Sequence, residues 1–564
     1  LGRYKDAIDY YNKCLELAPY IGNIYGDLGQ SYKELGDDSK AIENYKKDIY
    51  YNPTDYDRRK ELRKLNGKAE IFSYFTQPDV YELYKNAPGG DAYPEDNSLI
   101  VLNETQRVVY DGGGSEEKHF LLIKVFNASG IDTWQEYYIQ ASGNQSVLIE
   151  KAEVIKKNGN KVEAEVDGLH CVFTSLEQGD AIHITYKIEN YQFGKLAKHF
   201  WDKQYFSLYY PCQLNSYSLL IPPDYKFKYK ITNSDLEPGR EVKGDFVLYN
   251  WKMKDQESIK YEKYMSNLTD VGAVLHISSF PDWDYISKWY YDLATTKSKS
   301  DFVVKEEAKK LFADSGNLSD MEKAKIIYNY IVENIHYSSV SFRQSGLIPQ
   351  KASDVINTRM GDCKDVSTLF VALSKEAGLK ANLILVNTRD NGLHDLELPS
   401  IDFNHCIADV TIDNKDYYVE LTSDELPFSS AGYSLKKAFA LPVNEDTSVR
   451  IKPIILDSPT RLPNTVVRKT NVTFVGNKMI VKKQNVKSGV MAYSIRNIYR
   501  DIGEDARKKE MQQAIADMYP SVLLTNLVFN EDLNTTEDSI HYEYDYEVNN
   551  VFTSISNLHL FILP

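Results

Sequence analysis

Arg359-Met360-Gly361-Asp362-Cys363-Lys364-Asp365-Val366 sets a cysteine directly behind a Gly-Asp turn, at the head of a helix. The helix is predicted by Val366, Leu369, Phe370, Leu373 and Ala377, which recur at offsets 0, 3, 4, 7 and 11 and so share one face. Gly378 closes it as a C-terminal cap. Cys363 therefore falls in the first turn, where unpaired backbone N–H groups and the helix dipole favour a thiolate over a thiol. Forty-two residues on, Phe403-Asn404-His405-Cys406-Ile407-Ala408 reads as a strand bearing a histidine. Fifteen further on, Tyr417-Tyr418-Val419-Glu420-Leu421-Thr422 reads as a second strand bearing a carboxylate.

A thiol nucleophile needs a base to take its proton and a third group to hold that base. Cys363 is the candidate nucleophile and His405, fixed by apolar strand neighbours, the candidate base. His394, in the loop Gly392-Leu393-His394-Asp395, is a rival base that a loop would hold less firmly. Asp413-Asn414-Lys415-Asp416 predicts a two-residue turn between the two strands. Taken strictly, its register pairs Glu420 with Asp409 and Asp424 with His405, so Glu420 reaches the imidazole only if a bulge or another turn shifts the ladder. Asp409 and Asp424 therefore stay open as the orienting acid. Cys406 alternates to the face opposite His405, a packing position. An oxyanion would be met by the Cys363 backbone N–H and a second donor, Gln344 or Tyr337. Alone, a free cysteine is most often a small buried hydrophobe. That reading leaves unexplained why turn glycine, acid and helix start converge on Cys363.

In this order the residues resemble papain-like thiol enzymes, and more specifically a bacterial transglutaminase-like core. The resemblance rests on Gly361-Asp362-Cys363-Lys364-Asp365, on Asn404-His405, and on a Tyr-x-x-acid-x-Thr strand over 417–422. Upstream elements follow the family's order: a capping box, Ser319 to Glu322, opens a helix to about Ile335; a short strand runs from Tyr337 to Phe342; a Gly-x-x-Pro turn, 346–349, precedes a helix from Ala352 to Ile356. The resemblance covers about residues 280–430 and implies Cys363, His405 and Glu420 as the catalytic residues. Glu420 stands where the family usually has Asp, one methylene longer. Lys364 and Asp365 are expected to serve helix charge and salt bridging.

At 564 residues the chain is too long for one core. Its net charge of −15, with no basic cluster in sequence, argues against nucleic acid as the main partner. The five cysteines, Cys14, Cys171, Cys212, Cys363 and Cys406, are scattered without a C-x-x-C pair, so neither a zinc site nor a disulfide framework is indicated. No cofactor is expected, no calcium-loop pattern occurs, and no apolar run reaches the length of a membrane span.

The expected organisation is multidomain α+β. Residues 1–66 form the first segment: 1–54 carry a period of 34, with Gly2, Ala7, Ile8, Tyr11 and Pro19 matching Gly36, Ala41, Ile42, Tyr45 and Pro53, and a closing helix is expected from about Asp55 to Leu65. They resemble tetratricopeptide repeats, which implies a protein partner, and repeats are expected to continue upstream. Residues 67–96 read as a helical connector. Residues 97–276 alternate in short strands with an Asn158-Gly159 hairpin, a β-sandwich pattern that resembles a bacterial domain of unknown function found ahead of transglutaminase-like cores. His170-Cys171 within it reads as an ordinary strand-end pair. The transglutaminase-like core is assigned to 277–440 and a second β-rich domain, expected to be cut short, to 441–564, with a helical insert from about Ala492 to Met518.

The resemblance implies an enzyme that cleaves peptide or side-chain amide bonds through a thioester. Hydrolysis, as a protease or amidase, is expected ahead of cross-linking, because water is the default acceptor and nothing marks a lysine-binding channel. The alternative is a non-catalytic scaffold or binding protein of the cell envelope that retains the fold, a reading favoured by the Asp-to-Glu change. Carbohydrate binding by the β-domains is a third. By analogy with resembling proteins, the compartment is the periplasm or envelope of a Gram-negative bacterium.

Overall fold

A computed structural model describes residues 2–192, 194–313, 316–338, 346–423, 426–444, 448–457, 461–519, 521–556 and 558–564. The chain divides into two compact units: residues 1–282 with 397–400, and residues 283–396 with 401–564.

The first unit opens with four helices, α1 (Tyr4–Leu17), α2 (Gly22–Glu34), α3 (Asp38–Tyr51) and α4 (Tyr56–Leu65). Asp37 and Asp55 cap α3 and α4 through their side chains, so acids in the repeat's turns set where each helix begins. Tyr45 is fully buried between α2 and α4 and donates its hydroxyl to Gln30 (2.8 Å). After α5 (Val80–Asn86) come the strands β1 (Ser98–Val109), β2 (Ser115–Val125), β3 (Gln145–Ile155), β4 (Lys161–Glu163), β5 (Ala181–Asn190), β6 (Cys212–Ile221), β7 (Gly239–Lys243) and β8 (Phe246–Gln256). They form one mixed sheet in the order β7-β8-β6-β1-β2-β5-β3-β4, in which only the β1–β6 pairing is parallel. Two three-stranded sheets pack on it, which makes the region sandwich-like. One contributes Leu275 and Ile277 to a core with Tyr217, Leu219 and Trp251; the other contributes Cys171, buried beside Ile123 and Ile184. His170 stacks on Tyr138 and meets Glu136, an ordinary strand-end arrangement.

The second unit contains α6 (Trp283–Ala294), α7 (Phe302–Leu311), α8 (Asp320–Asn334), α9 (Ala352–Thr358) and α10 (Cys363–Glu376), followed by β9 (Lys380–Asn387), β10 (His405–Ile412), β11 (Lys415–Val419), β12 (Phe439–Val443) and β13 (Ile454–Ile455). The sheet order is β11-β10-β9-β12-β13. Both halves of the Ser319–Glu322 capping box are formed at α8. Helix α10 is buried along its whole length from Lys364 to Ser374, lying on β9 and β10 with α8 and α9 beside it. Of the predicted stripe, Val366, Leu369, Phe370 and Leu373 are at most 1% exposed, while Ala377, the C-cap, is half-buried. Of the predicted strand 337–342, only His336–Tyr337 forms a described strand; residues 339–345 lie outside the described residues.

Last come β14 (Thr465–Val475), β15 (Lys478–Ser488), α11 (Val490–Tyr499), α12 (Glu504–Ala516), β16 (Val522–Phe529) and β17 (Ser539–Asn549), with a four-stranded sheet ordered β14-β15-β17-β16. The alternation read over 540–546 is real: Ile540, Tyr542, Tyr544 and Tyr546 all face the core that α11 and α12 cover. The predicted helical insert is two helices, broken between Arg500 and Gly503. Among the described residues no helix is long and apolar enough to cross a membrane.

Candidate active site

Cys363 is the first residue of α10, and Asp362 is its N-cap. The Asp362 carboxylate accepts from the backbone N–H of Lys364 (3.1 Å) and Asp365 (3.3 Å), while Asp365 Oδ2 accepts from the Asp362 N–H (3.1 Å). That reciprocal box pins the turn that presents the cysteine. Asp365 also takes the backbone N–H and side-chain amide of Gln350 (2.7 and 2.8 Å), and the Lys364 ammonium pairs with Asp362. Both residues therefore build the helix start. Gly361 is required sterically: a Cβ there would stand 2.8 Å from the Cβ of Asp365. Helix α9 ends at Arg359 in the left-handed conformation (φ 55°), and Met360–Gly361 then pair in parallel with His336–Tyr337. The cysteine is thus held from both sides of its turn.

His405 starts β10, opposite Val386 of β9. Its Nε2 lies 2.8 Å from Oε2 of Glu420, and Cys363 lines the same cleft, near enough for its sulfur to favour the charged ring. With Nε2 engaged by Glu420, the nitrogen left to meet the sulfur is Nδ1. Cys363, His405 and Glu420, far apart in sequence, are thereby brought together.

The hairpin explains how Glu420 arrives, and it corrects the expected register. The turn residues are Asp413 and Asn414, both left-handed (φ 51° and 60°), not Asn414-Lys415. Ile412 therefore pairs with Lys415 and Asp409 with Tyr418. Carried one residue past Val419, this register sets Glu420 level with Ile407, diagonal to His405 and on its face. The acid needs no bulge. Glu420 Oε1 is held by the Thr422 hydroxyl (2.7 Å) and backbone N–H (2.9 Å), which leaves Oε2 free for the imidazole. Thr422 was legible only as the end of a strand motif; its grip on Glu420 was not.

The rivals fall elsewhere. Asp409 is bonded to the backbone and side-chain amide of Asn382 (2.9 and 3.2 Å), and burial pushes its carboxyl up to about 6. His394 is exposed and does not line the cleft around Cys363. Asp424 and Gln344 lie outside the described residues. Cys406, buried and on the alternate face of β10 from His405, also touches the cleft lining; burial, reinforced by the charge of Cys363, raises its thiol well above the usual range.

Burial opposes a charged imidazole at His405. The Glu420 carboxylate and the Cys363 sulfur outweigh it and push His405 from 6.5 up to about 10. For Glu420, burial alone would raise the carboxyl; the charge and hydrogen bond of His405, with the two bonds from Thr422, hold it below its ordinary value. The two shifts agree on an imidazolium–carboxylate pair.

A cleft of about 520 Å³, open to solvent, contains Cys363 and His405. Trp289 and Tyr290 of α6 form one wall, and Leu385, Ile401 and Phe403 another. Nothing in the spacing of the aromatic pair pointed to the site. Tyr337 pairs with Gly361, and its phenol is raised by burial and by the charges of Cys363, Asp362 and Glu420.

Residues 309–421 match the transglutaminase-like superfamily. Residues 167–260 match the domain of unknown function DUF3857, and residues 1–20 and 22–55 match tetratricopeptide repeats. No curated protein matches the sequence significantly. A solved structure from Parabacteroides distasonis, titled a "putative protease", superposes with a TM-score of 0.52 at 12% identity, covering 80% of this chain and 93% of that one. At that identity the likeness is one of fold. A "putative cysteine protease" from Cytophaga hutchinsonii, 14% identical over 40% of this chain and 78% of its own, superposes with a TM-score of only 0.19. The chain carries a transglutaminase-like superfamily domain, preceded by a DUF3857 domain and N-terminal tetratricopeptide repeats.

Proposed function

We propose that this protein is a cysteine acyl-transfer enzyme acting on peptide or side-chain amide bonds, and that water is its usual acceptor. The observation that carries the reading is the placement of the imidazole: His405 bonds Glu420 through Nε2 at 2.8 Å and lines one open cleft with Cys363. In this mechanism the Cys363 thiolate, its proton held on His405, attacks the amide carbonyl, and the His405 imidazolium delivers that proton to the departing amine. The C–N bond breaks and a thioester forms on Cys363. His405, now neutral, takes a proton from water as it attacks the thioester, the C–S bond breaks, and release of the acid restores the thiolate–imidazolium pair. Glu420 keeps the ring oriented and offsets its charge. The Cys363 backbone N–H, free of an intrahelical acceptor at the first helical position, faces the developing oxyanion, with Tyr337 as the second donor among the described candidates.

Incubation with an unfolded protein substrate, with and without a fluorescent primary amine, tests this directly. The reading predicts new N-termini or released ammonia, loss of both in Cys363→Ala, and minor amine incorporation. Dominant amine incorporation would make it a transamidase; no turnover with a broad panel of amide substrates would overturn it.

A further inference from the structure

A groove of about 900 Å³, open to solvent, lies in the first unit between α5, the Gly89-Gly90 turn and the β3–β4 hairpin. Lys85, Lys124, Lys157 and Lys161 line it against a single carboxylate, Asp91, in a chain whose net charge is −15. None of the four makes an ion pair among the described residues, whereas their neighbours do: Lys156 pairs with Glu177 and Asp180, Lys151 with Glu163, and Lys118 with Glu150. The ammonium groups are also positioned. Lys161 Nζ sits 3.2 Å from the centre of the Tyr81 ring, and Tyr81 is anchored by its hydroxyl to the buried Glu153 (2.8 Å). Lys124 donates to the Ala87 carbonyl (2.8 Å) beneath the Tyr84 ring, whose hydroxyl donates to the Gly179 carbonyl (2.9 Å). Lys157 crosses Gly179, where φ is +88° and a Cβ would come within 2.0 Å of the lysine Cε. Burial and the charge of Lys157 both push the Lys124 ammonium below its usual range, the mark of positive charge without compensation.

We propose that this groove binds an acidic peptide segment. At about 900 Å³ the space stands at the upper end of the roughly 300–1,000 Å³ typical of small-ligand pockets, and it is open to solvent, so a short run of peptide fits and can continue past it. Tyr81 already carries an ammonium on its face, which removes a stacking platform a sugar would use. Strand β4 ends the sheet, leaving its outer N–H and C=O groups for a peptide backbone, while the lysines meet the carboxylates. This site is independent of Cys363.

The test is fluorescence anisotropy of a labelled oligoglutamate peptide with the full chain. The expected result is saturable, salt-sensitive binding that weakens about tenfold in Lys157→Gln/Lys161→Gln. Binding is expected to be unchanged in the control Lys252→Gln/Lys254→Gln, exposed lysines of β8, with both variants melting like wild type. Absence of saturable binding, equal loss in both double variants, or displacement of the peptide by an oligogalacturonate at lower concentration would overturn the proposal.

Discussion

Glu420 meets His405 diagonally across the hairpin, one residue beyond the end of β11, with Oε2 2.8 Å from Nε2. That relationship answers the Asp-to-Glu change. An acid placed diagonally has farther to reach than one directly opposite, and the extra methylene of glutamate supplies the length. The change that favoured a scaffold reading is what lets this hairpin complete the contact.

Replacing Glu420 by Gln leaves the shape but removes the charge that outweighs burial of the imidazole. The expected outcome is that His405 falls from about 10 toward its ordinary 6.5, read by NMR titration of the ring. Amide turnover at neutral pH falls about 10²-fold or more. Glu420→Asp retains the charge but loses reach, and lands between the two.

Thr422→Val deletes the hydroxyl that holds Glu420 Oε1 and keeps the backbone N–H bond. One lost hydrogen bond to a charged group predicts a fall in kcat of about tenfold, with KM unchanged, because the hydroxyl touches the acid and not the substrate. Thr422→Ser recovers most of it.

Stability should follow pH from both sides of the same pair. His405 is raised in the folded state, so its contribution is fully present below pH 6.5 and is lost as pH climbs through about 10. Glu420 is lowered, so its contribution is present above 4.5 and is lost as acidification passes through its folded value. Denaturant unfolding across this range should therefore show a plateau near pH 4.5–6.5 with an alkaline decline. His405→Ala should flatten the decline.

Leu369 is fully buried in the middle of α10. Leu369→Ala leaves a cavity against the sheet and should cost about 2–5 kcal/mol in chemical denaturation.

The cysteine helix was legible because three independent signals, turn glycine, capping acid and 3.6-residue periodicity, coincide within the stretch from Gly361 to Gly378. The tyrosine strand at 539–549 was legible for the same reason, with period 2 throughout. The hairpin register was not, because Asp413-Asn414-Lys415-Asp416 admits turns at either central pair, and only the left-handed backbone at Asp413 and Asn414 distinguishes them. Trp289, Tyr290 and the lysine groove were invisible for a different reason. Their members come from segments remote in sequence, and each alone is an ordinary helix or loop residue.

The central claim is that His405 activates Cys363, and one protein contains its own reference thiol. Cys14 is exposed, Cys363 is partly buried, and Cys171, Cys212 and Cys406 are buried. Iodoacetamide labelling at pH 6.5, resolved by peptide mass spectrometry in wild type and His405→Ala, compares Cys363 with Cys14 directly. The account predicts Cys363 labelled about tenfold or more faster than Cys14 in wild type. In His405→Ala it should fall to or below the Cys14 rate. A Cys363 rate that matches Cys14 in wild type, or that ignores the loss of His405, would contradict it.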